Sequence, residues 1–382
     1  MFIPLNPFSL ADIFLTRKGP VLSGAPWKAR ENDRVILISR GQWALKELGS
    51  SIIRNRNRSK GTILIPEYFC EISVTPIRTS DFDIRFYRIT PGLEPDIADL
   101  ERIAGLYGTP DMMLFVHYFG IPLNMGAAEA WCRKNGVVLI EDAAHSLLPV
   151  PGIGDHGCPV IYTPWKFLGT PNGVALLVQP ERFTVSVEMN KNDEPYPWLW
   201  LQKRVASTLA TGLHLPLHKF RKIHVKTCDE SEPPINPGKA EWGRRSAAIL
   251  ANKEKDLPAI GRTREHHYRR IDDAIANSDA QTHRIFHQLP ACFAPYVYPL
   301  RIAGETCWEI MDALNKIGIP AQPWSDLSPE VKNSAAYPVS NSLRKEVMVL
   351  PVHQDLTHSQ IDWMTREVIR LVSKKGRPGR LS

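Results

Sequence analysis

VVLIEDAAHSL, residues 137–147, opens as a continuous apolar run and ends on two carboxylates, two alanines and a histidine. A short β-branched run of this kind reads as a strand buried on both faces. The preceding MGAAEAWCRKN (125–135) has helical periodicity, and Gly136 stands where a helix C-cap belongs. Helix followed by buried strand is half of a βαβ unit, and the unit recurs along the chain. RVILIS (34–39), GTILIPEY (61–68), DIRFYRI (83–89), MMLFVHYFG (112–120), GVVLIEDAA (136–144), CPVIYTP (158–164) and GVALLV (173–178) are seven strand candidates. Alternation with helical segments predicts an α/β fold with a mostly parallel seven-stranded sheet covered on both faces. Ligands of such sheets bind beyond the carboxyl ends of the strands, which is where Asp142 falls.

After about residue 185 the pattern changes. Residues 186–235 show no clear strand, with Trp198 and Trp200 near prolines, and EPPINPG (232–238) reads as a linker or surface loop. A long helical pattern over 240–275, interrupted near Pro258, precedes strand candidates at 295–302 and 347–353 and helices around 305–317 and 358–373. Thr357 and Gln360 form a capping box at the start of the last helix. We therefore expect two domains: a large α/β domain over 1–235, and residues 236–382 comprising the long helix and a small α+β domain.

Composition narrows the class. The chain has 382 residues, 43% hydrophobic and 23% charged, enough to bury a large core and a smaller one. No apolar run is long enough to span a membrane. The first twenty residues start apolar but carry Asp12 and no basic start, so they do not read as a signal peptide. Six scattered cysteines, Cys70, Cys132, Cys158, Cys228, Cys292 and Cys307, form no CxxC and no Cys/His spacing. They fit a reducing cytoplasm and predict neither a metal site nor a disulfide framework. The net charge of +7 raises nucleic acid as a partner. The only dense basic run, RNRNRSKG (54–61), has no interleaved aromatics, so nucleic acid is not expected. That run reads as a solvated loop, with a phosphate or sugar-nucleotide contact as its functional alternative.

Lys166 lies between two apolar runs, flanked by Pro164, Trp165 and Phe167. Alone it reads as an ordinary surface lysine, and Asp142 alone as a helix cap. Together, at the ends of successive strands, they are what pyridoxal 5'-phosphate requires: an amine to form the Schiff base and a carboxylate to keep the pyridine nitrogen protonated. A lysine among aromatics also loses hydration, which lowers its pKa. Gly41 and Gln42 open a helix directly after the first strand, where backbone N–H groups receive a phosphate. Tyr68, Phe69 and Cys70 follow the second strand, and one of them could lie against the ring. His145 could orient the carboxylate or the ligand.

In this order RGQWAL, IPEYFCEISVTPI, FVHYFGIPLNMGAAEAWCRKNGVVLIEDAAHSL, YTPWKFLGTPNGVALL and LRKEVMVLPVHQDLTHSQID resemble the DegT/DnrJ/EryC1/StrS aminotransferases. These are fold-type-I pyridoxal-phosphate enzymes that mostly act on nucleotide-linked keto sugars. The similarity runs over about residues 34–180 and returns over about 240–372. It implies that Asp142 is the pyridine-nitrogen partner, Lys166 the Schiff-base lysine, Gly41 and Gln42 the phosphate-binding helix start, and His145 a residue near the cofactor. It also implies a cytoplasmic homodimer with sites at the interface, for which Arg244, Arg245 and Asn252 are candidates. The amino donor would be glutamate and the acceptor a keto compound, foremost a sugar nucleotide. The chain departs from the family in three places. Arg40-Gly41-Gln42 replaces the usual Ser-Gly-Thr, Ile161 replaces a serine whose nearest hydroxyl substitute is Thr163, and GTPNGVALL replaces the usual Gly-Asp-Gly-Gly. A sugar dehydratase, in which histidine replaces the lysine, and a non-catalytic regulator of the same fold are the alternatives.

Overall fold

A computed structural model describes residues 22–168, 170, 175–180, 185, 187, 239–324 and 326–375. The expectations for the first twenty residues and for 188–235 lie outside the described residues.

The large sheet contains β1 (Arg34–Ile38), β2 (Gly61–Pro66), β3 (Phe82–Tyr87), β4 (Met112–Val116), β5 (Val138–Ala143), β6 (Val160–Tyr162) and β7 (Ala175–Gln179). Their order is β1-β7-β6-β5-β4-β2-β3. Pairing is parallel from β3 through β2, β4 and β5 to β6, whereas β7 runs antiparallel to both β6 and β1. Reversal of β7 restores the direction of β1, so the carboxyl ends of β1, β2, β4, β5 and β6 share one edge. β4 is buried at every residue, and β5 at every residue but its first, as a sheet with both faces covered requires.

The helices follow from apolar spacing. α1 (Gly41–Asn55) buries Ala44, Leu45, Leu48 and Ile52, one stripe of a 3.6-residue period. α2 (Glu71–Arg78), α3 (Ile97–Tyr107) and α4 (Gly126–Asn135) connect the parallel strands. α3 starts on an Asp96 carboxylate that accepts from Ala98 N and Asp99 N, and α4 ends at Gly136 in the left-handed conformation.

Beyond the short α5 (Trp165–Leu168), the C-terminal part starts with α6 (Arg244–Lys253) and α7 (Leu257–Ala276). The interruption expected near Pro258 is a single 3-10 turn at Glu254–Asp256. Pro258 itself sits in the first turn of α7, where its missing N–H costs nothing. An antiparallel sheet of β8 (Val297–Arg301), β10 (Val347–Pro351) and β9 (Gln322–Pro323) follows, in the order β8-β10-β9. α7, α8 (Glu305–Lys316) and α10 (His358–Lys375) close a second core over it, with Ile271, Ile310, Leu314, Leu350, Ile361 and Met364 at its centre. α9 (Pro338–Glu346) leads into β10. The capping box is formed: Gln360 Oε1 accepts from Thr357 N at 2.8 Å, and Thr357 Oγ1 accepts from Gln360 N at 3.2 Å.

Two arginines of the basic run 54–61 are engaged by a carboxylate. Arg56 and Arg58 each donate to Asp111 Oδ1 at 2.8 Å, and Asp111 Oδ2 accepts from Thr62 N at 2.9 Å. Asp111 immediately precedes β4, and Thr62 lies at the start of β2, so the cluster clamps the amino ends of the strands. Asp111→Ala should therefore destabilise the fold by about 2–3 kcal/mol, since it leaves a backbone donor and Arg56 without their buried acceptor. Arg58 is more than half exposed and adds little. Urea denaturation of the two proteins measures the difference; equal midpoints would make the cluster ornamental.

Candidate active site

The strand ends converge on a cavity of about 430 Å³. Gly41, Gln42, Tyr68, Phe69, Cys70, Asp142, His145, Thr163 and Lys166, all singled out from the sequence, line it. β1 delivers the first two, β2 the next three, β5 Asp142 and His145, and β6 Thr163 and Lys166.

Strand alternation separates the two carboxylates of the opening stretch. Asp142 faces the cavity, and its Oδ1 accepts from Ala144 N at 2.8 Å. Burial pushes its pKa up, opposed by the positive field of Lys166, the Ala144 bond and His117. Glu141 does not line the cavity. It accepts from Gly154 N at 2.5 Å and from the Cys158 thiol at 3.5 Å, and its Oε1 lies 3.2 Å from His117 Nε2. That last contact is within ion-pair distance but off the hydrogen-bonding axis, since His117 Nε2 has no hydrogen-bond partner. Glu141 thus holds the loop after β5, and only Asp142 is available to a ligand.

Lys166 is carried by α5, a single turn fastened by Lys166 N donating to Thr163 O at 3.0 Å. Thr163 Oγ1 in turn donates to Ala144 O at 2.6 Å, tying the lysine's turn to the Asp142 strand. Lys166 Nζ lies 3.2 Å from His145 Nε2 and 5.8 Å from the centre of the Tyr296 ring. Some of its surface opens onto the cavity, yet protein surrounds the amine. Loss of hydration lowers its pKa, against the pull of Asp142 and, more weakly, Cys70. Burial and the neighbouring Lys166 both keep His145 neutral. Its ring stacks on Tyr296 and meets Trp324 edge-on at 4.7 Å, while its Nδ1 is buried without a partner.

The HYFG turn explains how these segments come so close. Gly120 has φ +87°, and a Cβ there would lie 2.0 Å from the His145 carbonyl oxygen. Phe119 before it is also left-handed, with φ +62°, a strained conformation for an aromatic residue. His117 N donates to Asp142 O at 3.0 Å and Tyr296 N to Phe119 O at 3.1 Å, so the turn links β5 to the lead-in of β8.

At the mouth, α1 begins at Gly41, where a Cβ would press on Thr163 Cγ2 at 3.1 Å. Arg40, its N-cap residue, lies over the Trp165 ring at 5.3 Å. The side chains that sequence reasoning missed come mainly from the C-terminal part: Tyr296, Trp324, Arg264 and His353. Tyr118 also lines the cavity, and its hydroxyl donates to the backbone Tyr68 O at 2.8 Å. Tyr296 falls within a recognised strand candidate, and Trp324 and Arg264 carry no local signal.

Two measurements test this geometry. Gly120→Ala forces a methyl into the His145 carbonyl at an unfavourable φ and should cost at least about 3 kcal/mol, read as a lowered denaturation midpoint. The second concerns pH. Because Lys166 has its pKa lowered from 10.5 on folding, the native state binds fewer protons than the unfolded chain below 10.5. Its contribution to stability therefore rises with pH through that window and is complete above 10.5. The stability difference between wild type and Lys166→Met should shift in favour of wild type from pH 7 to 10; parallel curves would mean that the amine is hydrated.

The family model described as the DegT/DnrJ/EryC1/StrS aminotransferase family matches residues 104–175, which include HYFG, the Asp142 strand and Lys166. No curated protein matches the chain in sequence. Solved structures share its fold. Spr1654 from Streptococcus pneumoniae in its PLP-form is 17% identical with a TM-score of 0.67, over 98% of this chain and 99% of that one. DesV of S. venezuelae is 16% identical with a TM-score of 0.61, over 93% and 87%. PseC from Helicobacter pylori, an aminotransferase involved in the biosynthesis of pseudoaminic acid, is 15% identical with a TM-score of 0.62, over 89% and 87%. The segment that carries HYFG, the Asp142 strand and Lys166 thus matches the model of the DegT/DnrJ/EryC1/StrS aminotransferase family, and the chain as a whole shares its fold with solved aminotransferases.

Proposed function

We propose that the protein is a pyridoxal 5'-phosphate-dependent aminotransferase that moves an amino group from an amino acid, glutamate in the first instance, to a nucleotide-linked keto sugar. The observation that carries this reading is the meeting of a dehydrated lysine amine and a buried carboxylate in one aromatic-walled cavity. The residues present fit the cofactor. A 430 Å³ cavity is of ligand size, and His145, which lines it, has a buried Nδ1 without a partner in the protein.

Bound pyridoxal phosphate supplies an aldehyde for a primary amine and a ring that accepts electrons from the adjacent C–H bond. Lys166 provides that amine, and its lowered pKa leaves more of it unprotonated, able to attack and then to carry the substrate's α-proton on Nζ. Asp142 holds a proton at the pyridine nitrogen. Burial raises its own pKa, so a cationic ring beside it would be a partner that favours its charged form. The first N–H groups of α1, with Arg40, receive the phosphate, and the guanidinium takes over the part of a hydroxyl. His145, Tyr296 and Trp324 exclude water from the amine.

The homodimer, the cytoplasmic location and an interfacial role for Arg244, Arg245 and Asn252 belong to the same proposal. Among the described residues no helix is long and apolar enough to cross a membrane. The dehydratase alternative is disfavoured by Lys166 itself, since that chemistry places a histidine there.

Purified protein supplied with pyridoxal phosphate should absorb in the visible range and lose that band on adding glutamate. Borohydride should fix the cofactor's mass on the peptide containing Lys166; labelling of another lysine, or of none, would remove the reading. Asp142→Asn should still bind the cofactor but transfer amino groups more slowly. A charge-assisted hydrogen bond is worth about 1.5–3 kcal/mol, or roughly tenfold to a hundredfold in rate.

A further inference from the structure

Arg264 of α7 is 1% exposed, and the hydrogen bonds of its guanidinium go to carbonyl oxygens. Burial lowers its pKa to about 9, against the fields of Tyr296 and the Asp355 carboxylate, which favour its charge. A cation placed there at such cost needs compensating partners, and the fork has them. Nε donates to Gln354 Oε1 at 2.9 Å, Nη1 to Pro295 O at 3.3 Å and Tyr296 O at 3.2 Å, and Nη2 to Phe167 O at 3.3 Å. Gln354 Nε2 donates to the same Phe167 carbonyl at 3.2 Å, and the guanidinium lies over the Phe167 ring at 4.7 Å.

These partners are not scattered. Phe167 follows Lys166, and its carbonyl is one that the single turn of α5 cannot satisfy internally. Tyr296 supplies the ring that covers Lys166 Nζ and stacks on His145. We propose that Arg264, with Gln354, is a positioning residue that holds the Lys166 amine in place by binding both the turn that carries it and the backbone of the ring that covers it. The planar fork does this by shape. A lysine at 264 would keep the charge but could not reach three separated carbonyls and the glutamine.

The inference rests on Lys166 as the working amine of the proposed function, and its test does not need the cofactor. In protein stripped of bound aldehyde with hydroxylamine, the pH midpoint of Lys166 acetylation by acetic anhydride is read by mass spectrometry of its peptide. The groups facing that amine are Asp142, Cys70, His145 and Tyr296, all left in place. Releasing the turn rehydrates the amine, so Arg264→Met and Arg264→Lys should both raise the midpoint by about one pH unit or more. A wild-type midpoint in Arg264→Lys would overturn the proposal, because charge alone would then suffice. Should neither variant fold, Gln354→Leu keeps the guanidinium and removes one of the two donors to Phe167 O; it should shift the midpoint upward, and an unchanged value would overturn the proposal. Failure of borohydride to label Lys166 would reject the aminotransferase reading while leaving this result standing.

Discussion

The site depends on one constraint: an amine and a carboxylate kept together away from water. Each is disfavoured by its own burial and supported by the other's field, which raises the Lys166 pKa while lowering that of Asp142. Neither group is at rest alone, so the pair is a store of unfavourable desolvation that a suitable ligand relieves. Such a store is tolerable only on a rigid frame, because any looseness would let water in. The frame is the shared strand-end edge, where Thr163 joins the lysine's turn to the Asp142 strand through Ala144.

A second layer of rigidity comes from backbone crossing rather than side chains. Gly120 brings the HYFG turn within reach of the His145 carbonyl, and the same turn bonds to Asp142 O and Tyr296 N. The strained Phe119 and the freely left-handed Gly120 thus join the carboxylate-bearing wall to the aromatic wall. Arg264 repeats that logic from the other side with a side chain that binds carbonyls. Both devices spend local stability to fix distances in the cavity.

How much of this was legible in the sequence follows from how each part is encoded. The seven strands were legible because each is a short, largely apolar run between helical or turn segments, unbroken at β4 where both faces are covered, and the helix between β4 and β5 because its period and C-cap are local. The nine cavity residues named from the sequence could be named because each lies at or just past the carboxyl end of a strand, where an α/β sheet places its ligands. Arg264, Tyr296 and Trp324 were not legible, since they meet the cavity only through the docking of the C-terminal sheet, and nothing near them in sequence records that. The basic run at 54–61 shows the opposite failure. Its charge was plain, but charge does not say which edge of the sheet it serves, and the buried Asp111 that claims it is over fifty residues away.

Charge within the cavity then bears on what the chain binds. Its walls present Arg40, Lys166 and Arg264 against the single carboxylate of Asp142, with His145 kept neutral. Arg264 is committed to carbonyl oxygens, and Lys166 is balanced by Asp142. That leaves Arg40, at the mouth, beside the N-terminus of α1 and over Trp165. Under the proposed function, a guanidinium beside a helix start would suit a doubly charged oxyanion better than a carboxylate, because a fork can pair two oxygens while backbone N–H groups take a third. In that proposal the fit of a phosphate ester to this chain would rest on the charge of Arg40 at the anion end of the cavity rather than on a network of hydroxyls.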